Sequence, residues 1–342
     1  MNLNIRNIVN CFLLIVPFSL SLWQFYLITI LYIKKIFLLN KIDLLFIILL
    51  IPLLTYKFFI YDLYEFFEFM RINYSFFIFY LVFKNVNLNI KHISIILILI
   101  HVSEIIAISL NFYDKTTLFG FSDTGFSLGE FKKGEGQDFM FRRPEGIFTN
   151  STQSSVFYFI IFLMTDKKLL KYLLACCVIT FFSGTGIIIL VSTIFLDKKH
   201  LVIKLFGLII FSIFSLFINK ISLEYILYNI NYKYELLLTN LKSMNTFNLI
   251  TGLDKVSYAT DFGFEFFLQG YGIYGTLTLL IFVLLNVSKK NNIYLFYILV
   301  GSIVHYPLIS KALGALLFGY ILSMKKEYNL RLNSKLRISE DP

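Results

Sequence analysis

The sequence predicts an all-α polytopic membrane protein with about 12 transmembrane helices, and three observations support this. Hydrophobic residues make up 58% of the 342 residues and aromatic residues 18%, whereas charged residues make up only 15%. That balance does not suit a soluble surface, so the lipid bilayer has to be the solvent. Apolar runs recur along the whole length, separated by short basic clusters. A single membrane domain over 1–342 is the simplest interpretation.

The apolar runs divide the chain into twelve predicted spans. A helix needs roughly 17 to 25 apolar residues to cross the hydrocarbon core, and fewer when it is short or broken. The two least distinct divisions fall at Pro17 and at the Ser183-Gly184 turn, where one longer, kinked helix is the alternative. The spans are predicted near 7–19, 21–37, 42–59, 66–83, 92–112, 151–166, 169–183, 184–196, 201–219, 262–287, 292–306 and 308–324.

Basic residues cluster at the ends of these predicted spans. The chain has 31 Lys and Arg against 21 Asp and Glu, for a formal net charge of +10. In membrane proteins, basic residues in short connections mark the cytoplasmic side. On that rule both termini lie inside, with 325–342 as a cytoplasmic tail, and the two long loops, 113–150 and 220–261, lie in the periplasm or outside the cell. The same placement argues against a nucleic-acid partner, which needs a basic face.

Several classes of chemistry find no support in the sequence. Cys11, Cys176 and Cys177 lie within apolar runs, so they predict neither a disulfide framework nor zinc ligands. There is no nucleotide-binding Gly-rich loop, nucleophile elbow or paired-Asp motif for a nucleotide-sugar metal. We therefore expect no cofactor and no metal. The first apolar stretch lacks a small-residue cleavage site, which predicts that the N-terminus is retained.

The two long loops differ in composition from the rest of the chain. The first is rich in Gly, Asp, Glu, Lys and Arg, which combines turn formers with ionisable groups. In the second, 221–238 predicts an amphipathic helix lying on the membrane or over a cavity. Exposed loops on a rigid scaffold are where sites are usually built, so we expect the function here.

A dibasic motif closes the first long loop. Arg142 and Arg143 precede Gly146, just before a span. Guanidinium groups are always charged and match phosphate oxygens, so the pair suits a lipid pyrophosphate, and Gly146 would let the backbone approach it. Asn150 and Ser151 can cap the following helix. The alternative is an interfacial anchor that holds lipid phosphates without specificity.

Two carboxylates begin the span that follows the second long loop. Asp261 and Glu265 are four residues apart and share one helix face. In partly apolar surroundings, such a carboxylate can accept a proton from a sugar hydroxyl. The alternative is that Asp261 caps the helix and Glu265 is paired or reaches the membrane surface. Gly270, Gly272 and Gly275 permit close helix packing or a bend.

Three further ionisable residues are candidates. His101 and Glu104 are three apart within a predicted span, where ionisable residues are functional candidates, although pairing with one another is the simpler explanation. His305, in a short outer turn, is a candidate proton acceptor or phosphate partner. A lone interfacial histidine is more often neither.

The segments around Arg143 and Asp261, in this order, resemble the O-antigen polymerase and ligase superfamily of membrane glycosyltransferases. The family pattern of an Arg, two residues, a Gly and an Asn-Pro-like element before a span is matched by Arg143, Gly146 and Asn150, with Ser in place of Pro. The family's Gly-Ile-x-Gly ending is similar to 272–275.

Two departures qualify this resemblance. The family's Ser-Arg element falls at Ser183-Gly184, so a basic residue is missing. The His-Asn pair of ligases falls at Asp261-Phe262, which favours a polymerase over a ligase.

The resemblance implies a reaction. A multi-pass enzyme of the bacterial inner membrane, with the GT-C-like fold of lipid-dependent glycosyltransferases, would join oligosaccharide repeat units carried on undecaprenyl pyrophosphate. The products would be O-antigen, capsule or a related polysaccharide. Arg142 and Arg143 would stabilise the pyrophosphate leaving group. Asp261 or Glu265, or else Glu145 or His305, would deprotonate the acceptor sugar. Tyr225, Tyr228, Tyr232 and Tyr234 of the second long loop would stack on sugars, unless they form a membrane-interface belt.

The implied partners are the lipid-linked oligosaccharide, the bilayer, and a chain-length regulator and flippase of the same pathway. One rival is a ligase that transfers the finished glycan to lipid A core. Another is a polysaccharide flippase or transporter, which predicts charges spread along several spans; here Glu104 is expected to be nearly alone inside. A non-enzymatic structural subunit is the remaining alternative.

Overall fold

The computed structural model describes residues 39–84, 88–109, 129–132, 140–144, 146–148, 151–181, 183–196, 223–253, 263–304 and 308–324. These ranges are mainly helical. The α-helices are α1 (Lys41–Ile60), α2 (Leu63–Phe83), α3 (Ile90–Ser109), α4 (Ser151–Met164), α5 (Lys168–Thr180), α6 (Gly184–Leu196), α7 (Leu223–Ser243), α8 (Thr246–Thr251), α9 (Gly263–Asn286), α10 (Asn292–Val304) and α11 (Ala312–Ser323). Single 3₁₀ turns lie at Gly146–Phe148 and Leu308–Ser310.

Four of these helices are long and apolar enough to cross a membrane: α1, α2, α3 from Ile90 to Ala107, and α9. The apolar helices α4, α10 and α11 are shorter. This is an architecture compatible with a helical membrane protein. Nine of the predicted spans coincide with helices, and the predicted division at Ser183-Gly184 is confirmed because α5 ends before it and α6 begins at Gly184. The predicted spans at 7–19, 21–37 and 201–219 lie outside the described residues.

Local side-chain caps fix where the first two helices begin. The Asn40 side chain accepts from the Asp43 N–H at 2.9 Å, and the Asp43 carboxylate accepts from the Asn40 N–H at 2.8 Å. This reciprocal arrangement is a capping box, which satisfies two N–H groups that a helix start otherwise leaves open. The Asp62 side chain likewise accepts from the Glu65 N–H at 2.7 Å at the start of α2.

Polar contacts gather several helix termini at one end of the bundle, which we call the turn end. Lys84, which follows α2, forms a buried ion pair with Asp43 in the first turn of α1. The Tyr80 hydroxyl lies 3.0 Å from the Asp43 carboxylate and 3.1 Å from the side-chain oxygen of Asn286, the last residue of α9. Asn291, before α10, donates to the Asn286 carbonyl at 3.1 Å and to the last turn of α11. Short connections join the helices here.

The opposite termini lie at the other end, which we call the loop end because the two long loops attach there. The end of α1 and the start of α2 lie here, as do the end of α3 and the starts of α4, α9 and α11. The antiparallel register is visible between α3 and α4. Ser94 contacts Thr165 at 2.9 Å near the turn end, and Tyr158 donates to the Leu97 carbonyl at 2.8 Å further along.

Aromatic side chains fill the centre of the bundle. Phe46 stacks on Phe282 with ring centroids 4.2 Å apart, which joins α1 to α9. Gly319 lets α11 approach α2 closely, since a Cβ there would lie 2.5 Å from the Phe76 carbonyl oxygen and 2.6 Å from the Tyr80 nitrogen. Large apolar residues are exposed on the outer helix faces, among them Phe59 at 81%. A surface of this kind suits hydrocarbon rather than water.

One short pair of strands departs from the all-α prediction. β1 (Gly129–Lys132) and β2 (Met140–Arg143) run antiparallel within the first long loop, with Glu130 opposite Arg142 in register. The turn formers predicted only a loop here, because four-residue strands are too short to leave a clear alternation in the sequence.

Candidate functional site

The helix α9 is broken at Gly272. This residue has φ +62° and ψ −178°, a conformation that is essentially restricted to glycine. The break separates a first half, 263–271, from a second half, 273–286. A bend was one of the two roles expected for the glycines of this segment. Gly275 fills the other role, since a Cβ there would lie 3.0 Å from Leu53 of α1.

The short helix α8, at the end of the second long loop, packs into this break. The Leu253 N–H donates to the Gln269 carbonyl at 2.7 Å. At Gly252 (φ +80°), an added Cβ would lie 2.8 Å from that same oxygen, and at Gly272 it would collide with the backbone of Ile250 and Gly252. The backbones of α8 and α9 therefore meet with no room for side chains between them.

Lys57 holds the end of α8 from the opposite side. Its ammonium donates to the Gly252 carbonyl at 3.1 Å and to the Leu253 carbonyl at 2.7 Å. Tyr61 donates to the same Leu253 oxygen at 2.9 Å. The Lys57 side chain is fully buried. A buried amino group needs strong acceptors, and the carbonyls at the end of α8 provide them.

Glu265 lies in the first turn of α9 and is 1% exposed. One carboxylate oxygen, Oε1, accepts from the Gln269 amide at 2.8 Å. The other, Oε2, has no hydrogen-bond partner within the described part of the chain. A buried carboxylate oxygen without a donor is costly to maintain, and such groups in native proteins often indicate a functional role or a missing ligand. Of the carboxylates predicted for the site, Glu265 is the one that lies among the described residues, and its role stays a prediction.

Glu104 binds the backbone of the dibasic motif. Both of its oxygens accept from the Gly146 N–H, at 3.0 and 3.2 Å. Gly146 has φ +68°, and a Cβ there would lie 2.6 Å from the Ser154 hydroxyl and 2.8 Å from the Phe181 ring. Gly146 is thus required for local packing, and its N–H is already bonded to Glu104 rather than turned towards a ligand.

His101 has a separate partner. Its Nε2 lies 2.7 Å from the Thr180 hydroxyl at the end of α5, and its Nδ1 is buried without a hydrogen bond in the described ranges. His101 thus contacts the end of α5, whereas Glu104 binds the Gly146 N–H. The spacing in the sequence had suggested that the two residues pair with one another.

The predicted site residues are described to different extents. Glu265 and Gly146 both lie at the loop end, and Arg142 and Arg143 are described through their backbone in β2. Asp261, Glu145 and His305 lie outside the described residues. Of the tyrosines predicted to stack on sugars, Tyr232 and Tyr234 of α7 are 47% and 59% exposed.

Sequence reasoning missed several buried charges. Glu104 was expected to be nearly alone inside the spans, and this is wrong: Asp43, Lys57, Lys84 and Glu265 are buried too. All four lie near helix ends, and three of them, Asp43, Lys57 and Glu265, fall within predicted spans, where hydropathy alone does not show that a charge is buried.

Two cations at the loop end were also missed. Lys311, before α11, is half-buried and has Arg71 as a neighbouring cation. Arg71 in turn binds Glu68 at 2.7 Å. The sequence did contain a sign that these cations are unusual. Lys57, Arg71 and Lys311 all lie towards the predicted outer ends of spans, where the positive-inside rule predicts few basic residues.

Among the described residues, no group of three or more His, Cys, Asp or Glu side chains is arranged to hold a metal ion. No protein-family profile, curated protein or solved structure matches the chain.

Proposed function

We propose that the protein is a multi-pass membrane glycosyltransferase that polymerises oligosaccharide repeat units carried on undecaprenyl pyrophosphate. In this proposal the chain has about 12 spans with both termini in the cytoplasm, lies in a bacterial inner membrane, and reacts at the outer face. The observation that carries the proposal is Glu265, a buried carboxylate in the segment that resembles the polymerase and ligase superfamily, with one oxygen that no described residue bonds.

The reaction needs one base and one anion-stabilising group. A hydroxyl of the acceptor sugar donates to Glu265 Oε2 and loses its proton to that carboxylate as its oxygen bonds to the anomeric carbon of the donor glycan. The bond between the anomeric carbon and the phosphate oxygen breaks, and undecaprenyl pyrophosphate leaves with the electron pair. Arg142 and Arg143 offset the charge that develops on it.

Gln269 contributes by orienting the carboxylate. Its amide donates to Oε1 at 2.8 Å, which fixes the carboxylate's orientation and leaves Oε2 without a donor in the described part of the chain. The packing of α8 against α9 brings the end of the second long loop beside this carboxylate, and Glu104 ties the first long loop to the same end of the bundle. Both segments that carry the family resemblance are thus anchored at one end, as a shared substrate site requires.

An assay with purified protein tests the proposal. A strain lacking the gene should accumulate single lipid-linked repeat units, and these can be extracted and supplied to the protein in nanodiscs. Wild type should convert them to a ladder of polymers. Glu265→Gln should lower the rate by about 10²- to 10⁴-fold, the usual contribution of a general base. Glu65→Gln is the matched control, because Glu65 is an exposed carboxylate at the same end.

Further variants assign the other roles. Arg143→Ala and Asp261→Ala should each reduce the ladder if they act as predicted. Normal polymer from Glu265→Gln would remove Glu265 from the reaction. A wild-type protein that forms no glycosidic bond from these units would remove the polymerase function. Polymer transferred only to lipid A core would indicate the ligase, and movement of units across the membrane without bond formation would indicate a transporter.

A further inference from the structure

We propose that Lys57 is a positioning residue, which fixes Glu265 for reaction by holding the end of the second long loop in the break of α9. This rests on the proposed function, since it adds a residue to that site. Lys57 lies in α1, more than two hundred residues before Glu265 in the sequence, and no motif marks it.

The first step is the environment of the Lys57 ammonium. It has two backbone carbonyl acceptors, and three aromatic rings surround it, with Nζ 5.5 Å from the centroid of Tyr56, 5.3 Å from Tyr61 and 5.7 Å from Phe69. Rings at this distance attract a desolvated cation. The ammonium is therefore fixed in place, and so are the carbonyls of Gly252 and Leu253 that it binds.

The second step joins α8 to the first half of α9. The same Leu253 whose carbonyl accepts from Lys57 donates its N–H to the Gln269 carbonyl at 2.7 Å. This carbonyl lies three residues before the break, where helical bonding is interrupted. The position of Leu253 consequently sets the position of the Gln269 backbone.

The third step passes from backbone to side chain. The Gln269 amide donates to Glu265 Oε1 at 2.8 Å. A continuous series of hydrogen bonds thus runs from Lys57 through Leu253 and Gln269 to Glu265 Oε1, and Oε2 has no donor among the described residues. A displacement of the reacting group by about 1 Å can lower a rate by about 100-fold, so the support of Glu265 matters as much as its presence.

Hydrogen–deuterium exchange of the full chain in nanodiscs tests this without any substrate. Lys57→Met keeps most of the side-chain volume and removes the charge. We expect it to increase amide exchange in 246–253 and 263–271, and to leave 273–286 unchanged. Tyr61→Phe removes one bond to the same Leu253 carbonyl and should act in the same direction, less strongly. It also keeps the proposal testable if Lys57→Met fails to fold.

Tyr274→Phe is the matched control. Tyr274 also donates a phenol proton to a backbone carbonyl, that of Leu49 at 2.6 Å, but it lies beyond the break. We expect it to leave exchange in 263–271 at the wild-type level. Unchanged exchange in 263–271 for both Lys57→Met and Tyr61→Phe would overturn the proposal, and so would a uniform increase along the whole of α9.

Turnover of the extracted repeat units supplies the second readout. Lys57→Met should lower kcat by about 10- to 100-fold and change KM by less than about threefold, because Lys57 would place the base without contacting substrate. Lys57→Arg, which keeps the positive charge, should recover part of the loss. A raised KM with unchanged kcat would overturn the positioning role. If the wild type forms no polymer, the proposed function fails, while the exchange experiment still decides whether Lys57 fixes the Glu265 segment.

Discussion

The two ends of the bundle hold their buried charges in different ways. At the turn end, Asp43 and Lys84 neutralise one another, and Tyr80 adds a hydrogen bond to the pair. At the loop end, Lys57 binds main-chain carbonyls and Glu104 binds a main-chain N–H. The turn end therefore uses charge to join helix to helix, whereas the loop end uses charge to fix the backbone of irregular segments.

The difference follows from what each end has to hold. Short connections at the turn end bring helix termini together, so opposite side chains can meet directly. The loop end receives two long segments, and in them the Gly146 N–H and the Gly252 and Leu253 carbonyls lie at the ends of short helical turns, where buried backbone groups must find partners outside the helix. A buried lysine or glutamate that binds them anchors the loop and satisfies the backbone at once. Disrupting the two ends should accordingly have different consequences.

Breaking the turn-end pair should have the largest effect on stability. Lys84→Met leaves the Asp43 carboxylate buried without its cation, and we expect a loss of about 3–5 kcal/mol in the free energy of unfolding. Denaturant titration of the protein in micelles measures this. The double variant Asp43→Asn with Lys84→Met removes both charges and should recover most of the loss. A loss below about 1 kcal/mol for Lys84→Met alone would show that water reaches the pair.

Gly272→Ala should come next. A Cβ at this position is strained by about 1–3 kcal/mol and also collides with the backbone of α8, so the break of α9 and α8 cannot remain packed. We expect stability to fall by about 3 kcal/mol and polymer formation to be lost in the protein that still folds. Gly275→Ala is the milder control in the same helix, because its φ is ordinary and its nearest contacts, both at 3.0 Å, are side-chain carbons of Leu53 and Tyr271 rather than the backbone of another segment.

Glu104→Gln should have an intermediate effect. It replaces a charge-assisted hydrogen bond to the Gly146 N–H by a neutral one, and we expect a loss of about 2 kcal/mol. Ser103→Ala is the control one residue away. In the described part of the chain the Ser103 hydroxyl donates to the Leu99 carbonyl of its own helix, so this variant should stay close to wild type in the same titration. Equal losses from both variants would mean that the Gly146 contact contributes nothing specific.

Glu265→Gln should have the smallest effect on stability, below about 1 kcal/mol, because among the described residues one of its two carboxylate oxygens has a donor and the other has none. A small loss of stability combined with a large loss of turnover would distinguish a reacting carboxylate, Glu265, from a structural one such as Glu104. The same denaturant titration decides it. A loss of several kcal/mol would instead place Glu265 among the structural charges.

Much of the helical architecture was predictable, because a helix in hydrocarbon has to be long, apolar and internally bonded, and these properties are local in sequence. The bend at Gly272 was also predictable in kind, from three glycines within six residues. Neither the helices nor the bend depends on contacts with segments that are distant in the sequence.

The contacts of the site were not predictable to the same degree. Lys57 binds carbonyls 195 and 196 residues away, and Glu104 binds an N–H 42 residues away. Spacing in the sequence suggested that Glu104 pairs with His101, because only near neighbours are visible there. A basic residue at the wrong end of a span, such as Lys57, was the available sign that the residue had a buried partner.

The break in α9 also bears on how the chain enters the bilayer during synthesis. The backbone groups of a continuous helix bond to one another, so such a helix can enter the bilayer alone. In α9 the Gln269 carbonyl accepts from the Leu253 N–H instead, and a peptide group without a partner in lipid is strongly unfavourable. Residues 246–253 emerge from the ribosome before 263–286, and Lys57 emerges before both. Lys57 is therefore synthesised first, the Leu253 donor second and the broken helix α9 last.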